Sequence, residues 1–238
     1  MSNIRKAMLT LAALVIVSFA ASTVNADVVA IGGTGFGNAF PFGSNPYTGA
    51  YQQVYAGSGF PSGPITITQI AFASTSTSAL TRTLNLSLGL STTSLTPGGL
   101  STNYAANRGP DFTNVFSGVQ TFTTTPGAGD FDLVFNITPF TYTPSSGNLL
   151  LDVFINSSSE PLIFFIAGTN DPRSSRVFNF RGSGAPTIDN TSLSTQITFT
   201  SGGGAPVPEP ATMLLLGTGL AGVVAKVRQR KAKESQEV

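Results

Sequence analysis

A strict alternation of apolar and small residues runs through residues 82–90, RTLNLSLGL. Successive side chains of a β-strand point to opposite faces, so the four leucines share one face while Asn85, Ser87 and Gly89 share the other. Such a strand turns one face to a core and the other to water. The pattern therefore constrains this part of the chain to a half-buried sheet.

Further segments of residues 27–200 show sheet patterns, and none shows a convincing helical period. Leu193, Ile197 and Phe199 alternate with polar residues and predict another half-buried strand. In residues 65–72 the apolar positions change parity, which predicts a bulge near Thr68 and Gln69 or the end of the strand there. Other strands are predicted at residues 28–31, 51–56, 114–123, 131–135 and 175–180.

Two nearly continuous apolar runs, residues 149–155 and 161–166, predict central strands that are buried on both faces. The five-residue segment 156–160 between them predicts a hairpin loop. About ten short strands separated by Gly, Pro, Asn and Ser clusters are typical of an all-β domain. We therefore predict one antiparallel β-sandwich, jelly-roll-like, at residues 27–200, followed by a Gly/Pro linker at 201–206.

The amino-acid composition excludes several kinds of chemistry. The 238 residues include no histidine and no cysteine, so the chain has no Ser-His or Cys-His nucleophile pair, no usual zinc site and no disulfide framework. Residues 27–205 hold five arginines, no lysine and eight acidic residues, a net charge of −3. Because a nucleic-acid surface needs clustered basic residues, we expect no nucleic-acid partner.

The N-terminus has the layout of a secretory signal peptide. Arg5 and Lys6 precede an apolar run at residues 7–20, and small and polar residues follow up to Ala26. We predict a signal peptide at residues 1–26, export through the Sec pathway and cleavage by signal peptidase between Ala26 and Asp27. The alternative is an N-terminal membrane anchor that is retained.

The C-terminus contains a second apolar run, residues 211–225, which a cluster of basic residues follows from Lys226 onward. Three glycines within it have the GxGxxG spacing of a dinucleotide-binding loop, but prolines rather than a strand precede them, so we reject a nucleotide site. Glycine is common in membrane helices. We predict a single C-terminal transmembrane helix at residues 211–227, with the basic tail on the cytoplasmic side.

The order of Pro208-Glu209-Pro210, an apolar span and a basic tail at residues 207–238 resembles the PEP-CTERM sorting signal of Gram-negative bacteria. The resemblance implies that the chain is anchored transiently in the inner membrane. It also implies that an exosortase, a membrane cysteine transpeptidase, recognises the Pro-Glu-Pro motif and passes the chain to the cell surface or exterior. Members commonly accompany exopolysaccharide production and biofilm formation.

These features predict an exported, non-enzymatic surface or extracellular-matrix protein that associates with extracellular polysaccharide. Two alternatives remain open at this point, a carbohydrate-binding module and a weak glycoside hydrolase or lyase. Hydrolysis would need two opposed carboxylic acids, and Asp132, Asp152 and Glu160 are the available groups. Nothing in their spacing places them opposite each other, so we predict no catalytic residue.

Asp130 and Asp132 are two residues apart at the start of a predicted strand, so their carboxylates would point to one face. They could bind Ca²⁺, with Asp111, Asp152 or backbone carbonyls completing the oxygen ligands. The alternative is an exposed junction between a loop and a strand, with Phe131, Leu133 and Phe135 turned to the core. No other cofactor is expected.

Sugar binding uses aromatic side chains with polar partners. Tyr51, Gln53 and Tyr55 share one predicted strand face, and Tyr104 stands near Asn103 and Asn107 in a predicted loop. These tyrosines could contact a glycan, or they could rim the core with their hydroxyls in water.

Three arginines lie close together at positions 173, 176 and 181. They could contact an anionic polysaccharide, but exposed pairing with Asp171 and Asp189 is the interpretation that we favour.

Overall fold

Thirteen strands form the described part of the chain, which in this computed structural model comprises residues 26–44, 48–127, 129–179 and 184–201. The strands are β1 (Asp27–Ile31), β2 (Phe36–Asn38), β3 (Gly49–Tyr55), β4 (Ile65–Phe72), β5 (Thr81–Thr93), β6 (Thr113–Thr123), β7 (Leu133–Tyr142), β8 (Asn148–Ser158), β9 (Phe165–Thr169), β10 (Ser174–Phe178), β11 (Thr187–Asp189), β12 (Thr191–Leu193) and β13 (Thr195–Ser201). One short helix, α1 (Tyr104–Asn107), and two 3₁₀ turns, Gly57–Gly59 and Pro144–Ser146, accompany them. All these residues belong to one structural unit, Val24–Gly202.

Four nested antiparallel pairs organise the strands. β5 pairs with β6, β4 with β7, β3 with β8, and β1 with β13, as in one long hairpin whose turn lies between β5 and β6. Further pairing of β8 with β5 and of β13 with β4 closes this hairpin into two sheets, ordered β1-β13-β4-β7 and β11-β10-β3-β8-β5-β6. This nested pairing is that of a jelly roll. The predicted antiparallel, all-β class is therefore confirmed.

The core lies between the two sheets and takes its side chains from both. The leucines at 84, 86, 88 and 90 of β5 are fully buried, as the alternation predicts. Aromatic rings fill the centre, with centroids 4.5 Å apart for Phe42 and Phe72 and 5.3 Å apart for Phe116 and Phe135. Burial of each such side chain stabilises the fold by about 1.5–3 kcal/mol.

The predicted bulge in β4 is confirmed. Ile67 lies opposite Phe199 of β13 and Gln69 lies opposite Thr198, which leaves Thr68 without a partner in the register. The pairing of β4 with β7 shifts at the same place. Because of this extra residue, Ile65 and Ile67 before the bulge and Ile70 and Phe72 after it face the same side of the sheet, and the strand continues.

The predicted hairpin between residues 149–155 and 161–166 is wrong. β8 is a central strand and is buried on both faces at residues 149–153, although Phe154 is 48% exposed. β3 and β5 occupy both of its edges, so no edge is left for the following segment. That segment instead leads into β9, which belongs to a third sheet ordered β12-β9-β2. Leu162 and Phe164 are 48% and 44% exposed, so this run is not buried on both faces. Its last two residues, 165–166, begin β9, the middle strand of the third sheet.

Two strand boundaries also differ from the prediction. The alternation through Leu193 and Ile197 is divided at Ser194 between β12 and β13, which lie in different sheets. β7 begins at Leu133 and continues through Pro139, where proline is tolerated because β7 is the edge strand of its sheet.

The connection between β5 and β6, residues 94–112, packs on the outer face of the six-stranded sheet. A second apolar cluster lies beneath it, formed by Val54 and Leu150 of the sheet with Val177 and Leu100, and Leu95 and Tyr104 pack against this cluster. This part of the sheet is therefore covered on both faces.

The predicted transmembrane helix at residues 211–227 lies outside the described residues. Within the described residues, no helix has the length and apolar character to cross a membrane.

We expect Phe135→Ala to lower the free energy of unfolding by about 3–5 kcal/mol, because it leaves a cavity among Phe42, Phe72 and Phe116. Denaturant unfolding of the domain measures this change. Val119→Ala is the matched control, since Val119 is 64% exposed and its loss is expected to cost within about 0.5 kcal/mol. Equal effects of the two substitutions would contradict the assignment of the core.

Candidate functional site

An open cleft of about 550 Å³ lies at one end of the sandwich. The end of β5 and the start of β8 are neighbours there, because Thr93 pairs with Asn148, and this brings the β5–β6 and β7–β8 connections together. The lining is rich in hydroxyl groups and holds one cation and one carboxylate. Its polar side chains are Thr92, Thr93, Ser94, Thr141, Thr143, Ser146, Arg108 and Asp111.

Arg108 is held in the cleft from two sides. Its Nε donates a hydrogen bond to Oδ2 of Asp152 at 2.8 Å, and its Cζ lies 4.2 Å from the centroid of the Phe112 ring, a cation–π contact. The side chain remains 38% exposed. Among the described residues, neither Nη1 nor Nη2 of Arg108 has a hydrogen-bond partner, so both groups can donate to a molecule in the cleft.

Asp152 is the buried anchor of this arrangement. It is 6% exposed and lies directly opposite Gln52 in the register of β3 and β8. Gln52 Nε2 donates to the Asp152 carboxylate at 2.5 Å, and Asn107 Nδ2 donates to Gln52 Oε1 at 2.8 Å. A buried charge is tolerated where it is paired and hydrogen-bonded, and both conditions hold here.

Asp111 supplies the carboxylate of the lining. Its Oδ1 accepts a hydrogen bond from the backbone N–H of Thr92 at 2.8 Å, which fixes the β5–β6 connection against the end of β5. Its Oδ2 has no donor among the described residues. The cleft thus presents a donor fork, an acceptor and several hydroxyl groups, which is an arrangement for binding a polar molecule.

The structure contradicts the predicted glycan contact by Tyr51, Gln53 and Tyr55, because all three side chains are 0% exposed. They share one strand face, as predicted, but it is the inner face. The Tyr51 hydroxyl donates to Gln53, Gln53 exchanges hydrogen bonds with the backbone of Leu193, and the Tyr55 hydroxyl donates to Thr195 at 2.9 Å. These residues bind the sheets to each other.

Tyr104 and its neighbours also have structural contacts. The half-buried Tyr104 packs on the second apolar cluster, and its hydroxyl donates to the Ala50 carbonyl at 3.2 Å. Asn103 caps α1 by accepting from the Ala105 N–H, and Asn107 is fully buried on Gln52. The predicted open loop is wrong, because these residues form α1, which is folded onto the sheet, whereas contact of the half-buried Tyr104 with a glycan stays a prediction.

Asp130 and Asp132 lie in the β6–β7 connection, at the end of the sandwich opposite the cleft. Asp132 accepts from the Ser74 hydroxyl at 2.6 Å and from the Thr125 N–H at 3.0 Å, so it joins two connections. Asp111 and Asp152 lie too far away to complete a calcium site with them, which corrects that part of the prediction. No group of three acidic side chains suited to a metal occurs in the described residues, and binding through backbone carbonyls stays a prediction.

Of the three acids considered for hydrolysis, Asp152 is separated from the other two. Asp152 is buried and bonded to Arg108, whereas Asp132 and Glu160 lie in different connections at the opposite end of the domain. Hydrolysis of a glycoside needs two carboxyl groups that flank the same bond. Asp152 is therefore removed from the set of candidate acids.

The favoured partners of the arginines are confirmed for the two that the structure describes, but the expected exposure is not. Arg173 pairs with Asp171 at 3.1 Å, and the Asp171 side chain is only 10% exposed. The buried Arg176 binds both carboxylate oxygens of Asp189 on the neighbouring strand, at 2.8 and 2.9 Å. Arg181 lies outside the described residues.

Sequence reasoning missed the Arg108 cleft. One signal was available, since an aspartate at position 152 within an apolar central strand requires a buried partner. The identity of that partner was not readable, because Arg108 is 44 residues away and lies in a long connection.

The C-terminal segment was compared with known protein families. Residues 206–231 match the PEP-CTERM protein-sorting motif. This motif implies an exosortase-sorted, exported surface protein, with the exosortase as its processing partner. The predicted sorting residues Pro208, Glu209 and Pro210 fall inside the match and outside the described structure. Ala26 is exposed and β1 begins at Asp27, whereas residues 1–25 are not described. No curated protein matches the chain.

The buried tyrosines predict a delayed alkaline titration. Burial raises the pKa of Tyr51, Tyr55 and Tyr142 well above the usual 10.0, and burial together with the charge of Asp152 raises the pKa of Tyr104 to about 12. Because these values are raised in the folded state, the resulting stability is present below pH 10 and is lost as the pH rises beyond it. We expect no phenolate absorbance from these four residues near pH 10.

The same titration in denaturant is the control, since the four tyrosines should then ionise near pH 10. A folded protein whose tyrosines all ionise reversibly near pH 10 would show that these side chains reach water.

Proposed function

We propose that the chain is a non-catalytic structural protein of the extracellular polysaccharide matrix. In this proposal it loses residues 1–26 on export and is held briefly in the inner membrane through residues 211–227. An exosortase then processes it at Pro208-Glu209-Pro210. The match at residues 206–231 supports the sorting step. The following features of the domain support the matrix role.

The proposal rests on the pairing of the arginines within the domain. Each of the four in the described residues has a partner within the domain: Arg108, Arg173 and Arg176 form ion pairs, and Arg82 is a buried guanidinium. Both terminal groups of Arg82 donate to backbone carbonyls, those of Ser44 and Pro161. No lysine occurs in residues 27–205. A domain with this charge distribution is unsuited to polyanions and suited to neutral polymers.

The exposed sheet face has the matching chemistry. On the outer face of β5 and β6, the hydroxyl groups of Thr81 and Thr123 lie 2.9 Å apart, and those of Thr83 and Thr121 also lie 2.9 Å apart. Asn85 continues the row with a carboxamide that accepts from Asn156. Such rows of hydroxyl and amide groups can hydrogen-bond to a neutral polysaccharide without any net charge.

A carbohydrate-binding module is the second candidate, and the Arg108 cleft favours it. The two candidates differ in the number and strength of contacts. A matrix protein needs many weak contacts over a surface, whereas a module concentrates its affinity in one site. The glycoside hydrolase or lyase alternative would need a second carboxylate facing Asp111, and the described lining of the cleft contains none.

The proposal is tested by fractionating the native cells into membranes, extracellular polymer and medium. We expect a chain that begins at Asp27 and ends near Pro208 in the polymer fraction, as intact mass and terminal peptides would establish. High salt should leave it there, because its contacts are uncharged, and enzymatic digestion of the polymer should release it. A chain that stays in membranes with Val238 intact, or one found free in the medium, would contradict the proposal.

Glu209→Ala provides the variant for the sorting step, with Glu234→Ala as its matched control. Both remove one carboxylate from the C-terminal segment, but Glu234 lies beyond the matched residues. We expect the first variant to accumulate unprocessed in membranes and the second to be processed normally. Equal processing of the two variants would show that processing does not depend on Glu209 of the Pro-Glu-Pro motif.

A further inference from the structure

We propose that the Arg108 cleft binds a neutral sugar unit of the extracellular polysaccharide. This inference rests on the proposed export of the chain to the polysaccharide matrix, and it adds one defined binding site to the many weak contacts of the exposed sheet face. The cleft volume of about 550 Å³ lies within the range of about 300–1,000 Å³ that is usual for small-molecule sites.

Arg108 is pre-organised for binding. The hydrogen bond to Asp152 and the contact with Phe112 fix its guanidinium before any ligand arrives, so binding costs little side-chain entropy. A structural role alone would be satisfied by the Nε bond. The Nη groups have no partner among the described residues and Arg108 lines the cleft, so they remain available as donors there.

The same lining also contains a hydrogen-bond acceptor. Oδ2 of Asp111 is unpaired in the described residues, and the hydroxyl groups of Thr141, Thr143 and Ser146 can both donate and accept. Adjacent hydroxyl groups of a sugar need donors and acceptors together, since each hydroxyl group does both. The side chains of Ala106 and Pro110 give the lining apolar surface for the C–H groups of a sugar ring.

The charge of the site favours a neutral ligand over an acidic one. Arg108 carries one positive charge, whereas Asp111 and the buried Asp152 carry two negative charges, so the site has a net charge of −1. The positive charge is already shared with Asp152 at 2.8 Å. A carboxylate or sulfate on a sugar would meet repulsion from Asp111 with little compensation.

The test is calorimetric titration of the processed domain with neutral hexasaccharides, namely gluco-, manno- and galacto-oligomers. Oligogalacturonate serves as the acidic comparison. We expect binding of at least one neutral oligomer. Thr141→Val and Arg108→Gln should each weaken it about tenfold or more, since each removes hydrogen bonds to the ligand.

Each variant has a matched control outside the cleft. Thr138→Val makes the same change on an exposed position of the same strand, and Arg173→Gln removes an exposed arginine from another ion pair. Both controls should bind like the unchanged protein. Thr141→Val keeps side-chain shape and strand propensity, so it reports on the site even if Arg108→Gln fails to fold.

Three outcomes would overturn the inference. These are no binding of any neutral oligomer, neutral binding that Thr141→Val leaves unchanged, and tighter binding of oligogalacturonate that depends on Arg108. None of them alters where the processed chain is found in the native matrix. Failure of the inference is therefore distinguishable from failure of the proposed function.

Discussion

The buried carboxylate of Asp152 links the folded sheet to the cleft. β8 is the central strand that β3 and β5 flank, so a charge at position 152 must find its partners on the outer face of the sheet. Gln52 supplies one partner from β3 and Arg108 supplies the other from the β5–β6 connection. The connection is thereby fixed over the sheet, and its far side forms the wall of the cleft. Asp152, which needs partners because it is buried, thus also positions Arg108, whose remaining donors are available for binding.

The sequence pattern predicted the strands well where a single face is apolar, as in β5, and it located the bulge at Thr68. It could not assign inside and outside for Tyr51, Gln53 and Tyr55. Alternation groups these residues on one face, but amphipathic tyrosine and glutamine suit either face, and both faces of β3 are covered. The predicted hairpin after β8 was wrong because strand pairing depends on which edges other strands occupy, and this cannot be read from the local pattern.

The candidate site depended on contacts that are distant in the chain. The pairs of Arg173 with Asp171 and of Arg176 with Asp189 were predictable because they are local or lie on adjacent strands. The Arg108 pair spans 44 residues and was not. The sorting motif is different in kind, since another enzyme reads it as a linear segment and it therefore needs no folded context to be recognised.

A double-mutant cycle on Arg108 and Asp152 measures whether the buried carboxylate holds the arginine of the cleft. Denaturant unfolding of Arg108→Gln, Asp152→Asn, the double variant and the unchanged domain gives their interaction energy. We predict coupling of about 1 kcal/mol or more, because each single substitution leaves the other group without its partner. Additive effects would contradict the account, since Asp152 would then not hold the wall of the cleft.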